Sequence, residues 1–498
     1  MFDLSFHKVI KSIAANQLGF LVSLIVAMLL SPFVVHCLGD EKYGLWSLII
    51  SFSGHYGLLS FGIQGAVTRY IAHSVADKDI KKASGYMTAA FLCLLVTAVL
   101  CVIIGILLTL WFPAIFKIDP NGIPQIRQAC FLVGLTAAST FFFAIFQCNL
   151  YAHQRFDIMN LIGVATTLLR AGFTVFLLKN GYGLLGLASL GLGLTILSGL
   201  AEFFASKSFC SSAGIRLRQV EKAYFKDLLA YGSRSFLIGI SITLVYQSDL
   251  FVIGIFLSPE RITIYSLAAT LITYLIQFAN SVSNAMNPYA TECFAKQGLK
   301  GLQTFFKNSS YLMYMLGGLI FAGCFVLGKA FFSLWIGANY SESGLVLSIL
   351  LIPQFFSIGF RAISVCLAAT TQIGWLAIFS VCEGILNLIL SLCLVQRMGV
   401  YGVALGTLIP IILNHGIIGP WYAGKLLKLN IAQLYFHSMF PGLVICGFGL
   451  IIGFGVQRIF PPITWTILNI AGNHRVRRIP MITHKTAVTS RHKKAAVI

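Results

Sequence analysis

Seven charged side chains fall inside otherwise apolar runs of the sequence: Arg170, Arg234, Arg361, Lys329, Asp249, Glu202 and Glu383. Arg69 borders another such run, and His55 and His415 lie within two more. An ion held away from water is costly, so it faces a polar interior or a partner. The residue types define two chemistries. A guanidinium is planar, permanently charged and able to grip a phosphate with parallel N–H bonds. Buried carboxylates either pair with such cations or bind and release a proton or a sodium ion. Arg170 and Arg361 lie deepest among the cations and are the candidate anion-binding groups. Asp249 and Glu383 are the candidate coupling carboxylates. The competing expectation is an ion pair of Arg170 or Arg361 with Glu383 that only ties helices together. Arg234, Arg69 and Lys329 lie near run ends, where long side chains reach back to water. The two histidines read as polar helix contacts.

No catalytic constellation accompanies these groups. Gly-x-x-x-x-Gly-Lys-Ser/Thr, His-Glu-x-x-His and Gly-x-Ser-x-Gly spacings are absent, so neither direct ATP use nor hydrolysis is expected. The 12 cysteines are scattered and include no Cys-x-x-Cys pair, so they imply no disulfide framework, metal site or cofactor.

The elements that must position these groups follow from composition. Charged residues make up 10% of the 498 and hydrophobic residues 58%, and mean hydropathy is +0.87. A soluble domain carries about 25% charge. Lipid is the solvent that suits this chain, and a spanning helix needs about 20 apolar residues. Spans are expected over 13–36, 43–66, 86–112, 128–150, 158–178, 183–205, 233–257, 264–287, 309–335, 344–368, 374–396 and 401–424, with a further one near 436–457. The first run, behind Lys8 and Lys11, is too long for a cleaved signal segment. Lys and Arg favour one set of connectors by more than two to one, which places the N-terminus in the cytoplasm.

The expected organisation is an all-α integral membrane protein with two six-helix lobes, 1–206 and 233–424. A basic amphipathic connector, 207–232, lies between them on the cytoplasmic face. Additional membrane segment follows over 425–472, then a basic tail over 473–498 that reads either as a shifted frame or as a disordered basic tail. The net charge of +20 sits in short loops and this tail, which suits anionic membrane lipids rather than nucleic acid. Two echoes support duplication. Leu38-Gly39-Asp40-Glu41-Lys42-Tyr43-Gly44-Leu45-Trp46-Ser47-Leu48 parallels the stretch Leu257 to Leu267 at a shift of 219, and Gly183-Leu-Leu-Gly186-Leu-Ala188 parallels Gly399-Val-Tyr-Gly402-Val-Ala404 at a shift of 216. Duplicated bundles that rock about a central site are a transporter plan.

Three stretches carry a family likeness: residues 39–50 with 57–63 and 69–72, the run Gln247 to Leu257 ending in Tyr265, and the two Gly-x-x-Gly-x-Ala turns. On these the chain resembles the polysaccharide-repeat (O-antigen type) flippases of the multidrug/oligosaccharidyl-lipid/polysaccharide exporter superfamily, over roughly residues 10–425. Ser60 departs from the pattern, standing where many relatives carry an acid. The resemblance implies a twelve-helix core, often extended to fourteen. It also implies transport of an undecaprenyl-pyrophosphate-linked oligosaccharide across the bacterial inner membrane, ahead of polysaccharide polymerase machinery. Arg170 and Arg361 would then be cations of a central lumen, Arg234 and Arg69 contacts at its cytoplasmic mouth, and Asp249 and Glu383 groups that couple H+ or Na+. Lipid II flippases and multidrug/cation antiporters of the same superfamily are the rival expectations. A membrane-embedded glycosyltransferase or polymerase would need a longer connector than this chain has.

Overall fold

The computed structural model describes residues 2–116, 118, 122–210, 213–370, 374–428 and 435–459, with side chains of the first helix described from Gly19 onward. The basic tail and residues 460–472 lie outside the described residues. The chain is an all-α integral membrane protein. Among the described residues, twelve helical segments are long and apolar enough to cross a membrane.

The N-terminal lobe comprises α1 (Phe2–Leu38), α2 (Asp40–Tyr56), α3 (Ile63–Ala76), α4 (Ile80–Ile115), α5 (Ile123–Ala152), α6 (Phe156–Lys179) and α7 (Gly183–Phe209). The second comprises α8 (Lys222–Tyr246), α9 (Ser248–Phe256), α10 (Pro259–Trp335), α11 (Ser341–Ala369), α12 (Gly374–Met398), α13 (Val400–Ile411) and α14 (Gly419–Leu427). One more helix, α15 (Phe440–Ile459), follows. Within the first lobe α4 packs on α5, α5 on α7, and α1 on α6; within the second α10 packs on α11 and α12 on both α13 and α8. Side-chain chemistry sets the ends. The Asp79 carboxylate accepts the Lys82 amide at 2.9 Å and starts α4, while Gly298, at φ 59°, divides α10 into two spans.

Two expectations are corrected. The span expected over 43–66 is broken: a 3-10 turn, Gly57–Ser60, separates α2 from α3, and Phe61 and Gly62 follow at φ 45° and 69°. Hydropathy is blind to a left-handed residue. Irregular backbone at membrane depth must be covered by protein, and here it is: Thr97 donates to the Leu59 carbonyl at 3.1 Å, and a Cβ on Gly232 would sit 2.3 Å from the Phe61 carbonyl oxygen. The amphipathic connector expected over 207–232 is not a separate element either. A short turn, Leu217–Gln219, leads directly into α8, which runs unbroken from Lys222 to Tyr246. The remaining connector is pinned to α4, where the Arg216 amide donates to Thr88 Oγ1 at 2.8 Å.

The duplication is visible as a contact. Asp40 and Pro259, and Gly44 and Thr263, are each 219 positions apart. Thr263 Oγ1 donates to the Asp40 carbonyl at 2.6 Å, and a Cβ on Gly44 would lie 2.0 Å from the Pro259 carbonyl oxygen. Exchanging the two halves turns one contact into the other, as at an interface between identical subunits. Gly183 and Gly399, from the second echo, adopt φ 56° and 57° at matching helix starts.

The α2–α10 approach therefore has no room for a methyl group. Gly44→Ala is expected to lower the thermal unfolding midpoint of the purified protein, by the equivalent of about 1–3 kcal/mol for overpacking. Gly57→Ala, where a Cβ meets nothing within 4 Å, serves as the control; equal midpoints for the two variants would remove the close approach from the account.

Candidate functional site

Between the lobes lies a chamber of about 1010 Å³. Helices α1, α2 and α6 contribute the wall of one lobe, and α8 to α12 with the turn after α13 contribute the other. Hydroxyl side chains line much of it, among them Ser23, Ser31, Ser47, Thr167, Ser241 and Ser357. Its charged wall residues are Arg170, Arg361 and Glu383, with His415 beside them.

Arg170 reaches the chamber from α6 and is the charged residue of the N-terminal wall. Gly19 lies against Val164, so Arg170 stands about level with the residues six positions on in α1, within its membrane-crossing part Gly19–Leu38. Arg361 enters from α11, where its Nη1 donates to Asn280 Oδ1 of α10 while its buried Nε has no hydrogen-bond partner. Among the described residues neither arginine is ion-paired with a carboxylate. The expected alternative of an Arg–Glu383 pair is therefore absent from this state.

Glu383 of α12 is held otherwise. Asn414 Nδ2 donates to its Oε2 at 2.5 Å, and His415 Nε2 lies 3.4 Å from the same oxygen. Both partners sit in a π-helical turn, Ile412–Ile418, which widens the helix between α13 and α14 and turns two consecutive side chains the same way. Such bulges recur at functional sites. The His415 ring stacks on Phe360 at 4.3 Å between centroids.

Asp249 is buried in the second lobe, 4% exposed, and is not part of the chamber wall. Tyr265 Oη donates to its Oδ2, as does Thr407 Oγ1 at 2.8 Å. Asn387 Nδ2 donates in turn to Thr407 Oγ1 at 2.9 Å, and Ser248 Oγ to Asn387 Oδ1 at 3.4 Å. Asp249 Oδ1 has no partner. The cluster is a compact set of oxygens around one carboxylate, suited to a proton or a small monovalent cation.

The other candidates lie apart. Arg69 is exposed and sits over the Tyr231 ring at 5.1 Å, beyond the chamber wall. Arg234 belongs to α8, and its side chain lies outside the described ones. Glu202 accepts from Gln147 Nε2 at 3.5 Å. His55 packs edge-on to Phe251 at 4.9 Å. Sequence reading missed Asn280, Asn387, Thr407 and Asn414; an asparagine within an apolar run is the signal that could have found three of them.

The two ends of the chamber differ. At the Asp40 end the lobes are joined: Thr263 and Tyr340 both donate to Asp40, Trp335 Nε1 donates to the Met28 carbonyl at 2.7 Å, and Phe251 packs on Phe52 at 4.2 Å. At the opposite, Asp227 end the seam is aromatic. Tyr86 Oη donates to Asp227 at 2.7 Å, and its ring stacks on Tyr70 at 4.6 Å.

A Polysaccharide biosynthesis protein pattern matches residues 9–294, and the chain belongs to that family. It is 22% identical over 422 residues to "Uncharacterized membrane protein EpsK" of Bacillus subtilis (strain 168), covering 83% of this chain and 82% of that one. It is also 22% identical to "Putative O-antigen transporter" of Shigella flexneri, covering 82% and 96%. Among solved structures it is similar to an inward-facing multidrug resistance MATE family transporter of the MOP superfamily, with a TM-score of 0.69 at 15% identity, covering 82% and 99%. It is likewise similar to the lipid II flippase MurJ in an inward closed conformation, with a TM-score of 0.68 at 16% identity, covering 92% and 99%. These likenesses show a two-lobed fold with a twelve-helix core.

Removing a donor to a buried carboxylate leaves it short of a partner and costs about 1.5–3 kcal/mol. Thr407→Val is therefore expected to destabilise the purified protein, with Thr407→Ser close to wild type. A thermal midpoint unchanged in Thr407→Val would show that the Asp249 cluster is not held as described.

Proposed function

We propose that this protein flips a polyprenyl-pyrophosphate-linked oligosaccharide repeat from the cytoplasmic to the periplasmic leaflet of the bacterial inner membrane, for synthesis of a surface polysaccharide such as O-antigen, capsule or exopolysaccharide. It acts by alternating access and not as an enzyme. The observation that carries the reading is the pair Arg170 and Arg361, facing one chamber from opposite lobes without a carboxylate partner among the described residues. A pyrophosphate crossing the bilayer needs permanent cations that are free to receive it. Family membership and the glycan-related names of the relatives support the same substrate class.

With the N-terminus cytoplasmic, the Asp40 end is periplasmic and latched, so this state is closed to the outside. Arg234 and Arg69 would greet the headgroup at the cytoplasmic side. Asp249 and Glu383 would couple transport to H+ or Na+. Their positions divide the work: Glu383 can meet the substrate, whereas Asp249 acts from behind the wall. Membrane lipids surround the lobes, and polysaccharide polymerase machinery would consume the product. The likeness to MurJ favours lipid II as the second reading, since it too presents a polyprenyl pyrophosphate. An antiporter of cationic drugs fits less well, because two arginines face one glutamate in the chamber.

Arg170→Ala and Arg361→Ala are each expected to abolish surface polysaccharide in a strain relying on this gene, with lipid-linked repeat accumulating in the inner leaflet and the protein inserted at wild-type levels. Normal polysaccharide in both strains would remove the arginines from the mechanism. A second measurement concerns the latch. Asp40→Ala loses the acceptor for Tyr340 and should raise labelling of Ser266→Cys by a membrane-impermeant thiol reagent added outside. Labelling equal to that of the same cysteine beside an intact Asp40 would show that these contacts do not hold the periplasmic end shut.

A further inference from the structure

The chamber is chemically divided along its length. On α10 its wall runs from Ser266 to Asn280, about 21 Å at 1.5 Å per residue. Every charged wall residue belongs to the middle or to the Asp227-side part: Arg170 about level with the residues six positions beyond Gly19 in α1, Arg361 against Asn280, and Glu383 beside His415. The Asp40-side part is walled by Ser31, Tyr43, Trp46, Ser47, Ser266 and Thr270, together with aliphatic side chains, and among the described residues it holds no carboxylate, guanidinium, ammonium or imidazole.

Three hydroxyls of that part are oriented. Ser31 Oγ donates to the Ala27 carbonyl at 2.8 Å, Ser266 Oγ to Thr263 at 3.1 Å, and Thr270 Oγ1 to Ser266 at 2.7 Å. Each has its single proton engaged by the helix backbone, so what it turns to the chamber is lone pairs. Three such acceptors beside the Trp46 ring, with the Tyr43 and Ser47 hydroxyls in the same wall, suit a ligand that both donates and accepts hydrogen bonds and has an apolar face to lay on the ring, as an uncharged sugar does. The wall does not suit a carboxylate, which brings only acceptors and a charge that nothing there neutralises.

We infer that the Asp40-side half of the chamber is a sugar compartment selective for uncharged oligosaccharide repeats, and that it discriminates against repeats bearing uronic or other acidic sugars. The inference rests on the flippase reading, in which the pyrophosphate occupies the arginine half. The headgroup then lies lengthwise, sugars toward the latch and pyrophosphate between Arg170 and Arg361. Trp46 and the backbone-tied hydroxyls set which sugar chain fits, while the arginines hold any pyrophosphate alike.

The test measures binding by the purified full-length protein of three probes: a polyprenyl pyrophosphate alone, the same lipid bearing a neutral trisaccharide, and the same trisaccharide with one glucuronate. The neutral probe is expected to bind at least about tenfold tighter than the glucuronate probe. Trp46→Ala should weaken the neutral probe about tenfold and leave the bare pyrophosphate unaffected, with Trp46→Phe near wild type. Thr270→Lys, which places a cation among the acceptors, should narrow the gap between neutral and acidic probes. Equal affinities of wild type for the two sugar probes would overturn the inference while leaving the flippase reading intact. Bare pyrophosphate that binds Arg170→Ala and Arg361→Ala as it binds wild type would sink the flippase reading itself, and binding of no probe would sink both.

Discussion

A guanidinium without a carboxylate partner cannot be packed into the middle of a bilayer; it has to face water or a polar ligand. Arg170 and Arg361 are in that condition, and much of the architecture answers to it. A chamber must exist, its wall must be polar, and the lobes carrying the two arginines must stay apart at that depth. Serine and threonine supply the polarity at low cost in a helix, because each hydroxyl can bond the carbonyl one turn back. The outer surface can then be wholly apolar, as with Leu29, Leu161 and Ile451.

The separation of the lobes needs a counterpart elsewhere, and the duplicated segments provide it. Asp40 with Thr263, and Gly44 with Pro259, form a contact that maps onto itself when the halves are exchanged. A self-complementary contact can be made and broken as a unit while each lobe stays rigid. The added bonds from Tyr340 and Trp335 come from α10 and the turn after it. The lobes are alike in frame and unlike in chemistry: the polar networks around Asp249 and Glu383 both belong to the second, and the first presents Arg170 nearly bare.

The frame was largely legible in the sequence. Apolar runs, Lys/Arg bias and the echo at a shift of 219 predict spans and halves, because each is a property of neighbours along the chain. The deep arginines were legible for the same reason: Arg170 stands out against Thr167, Leu168, Leu169 and Ala171. The break at Phe61 was not, since a left-handed residue leaves no mark on hydropathy. Neither were the companions of the carboxylates. Asp249, Tyr265, Asn387 and Thr407 come from four helices and meet only after packing. The width that brings Asn414 and His415 together onto Glu383 is a π turn, which no periodicity in the sequence announces.

The two buried acids differ in a way that bears on coupling. Glu383 shares a chamber with two arginines, so under the proposed function its charge and that of a bound pyrophosphate would oppose each other there. Asp249 lies outside the chamber wall. It adjoins Ser248, where the break after Tyr246 lets α9 change direction from α8, and its bonds tie that break to α10 and α13. Under the proposed coupling, a cation or proton at Asp249 would act on the junction between α8 and α9, of which α9 packs on α2. Under the proposed function, Glu383 would be the acid that meets the cargo and Asp249 the acid that acts on the lobes, a division that would lock ion movement to substrate movement.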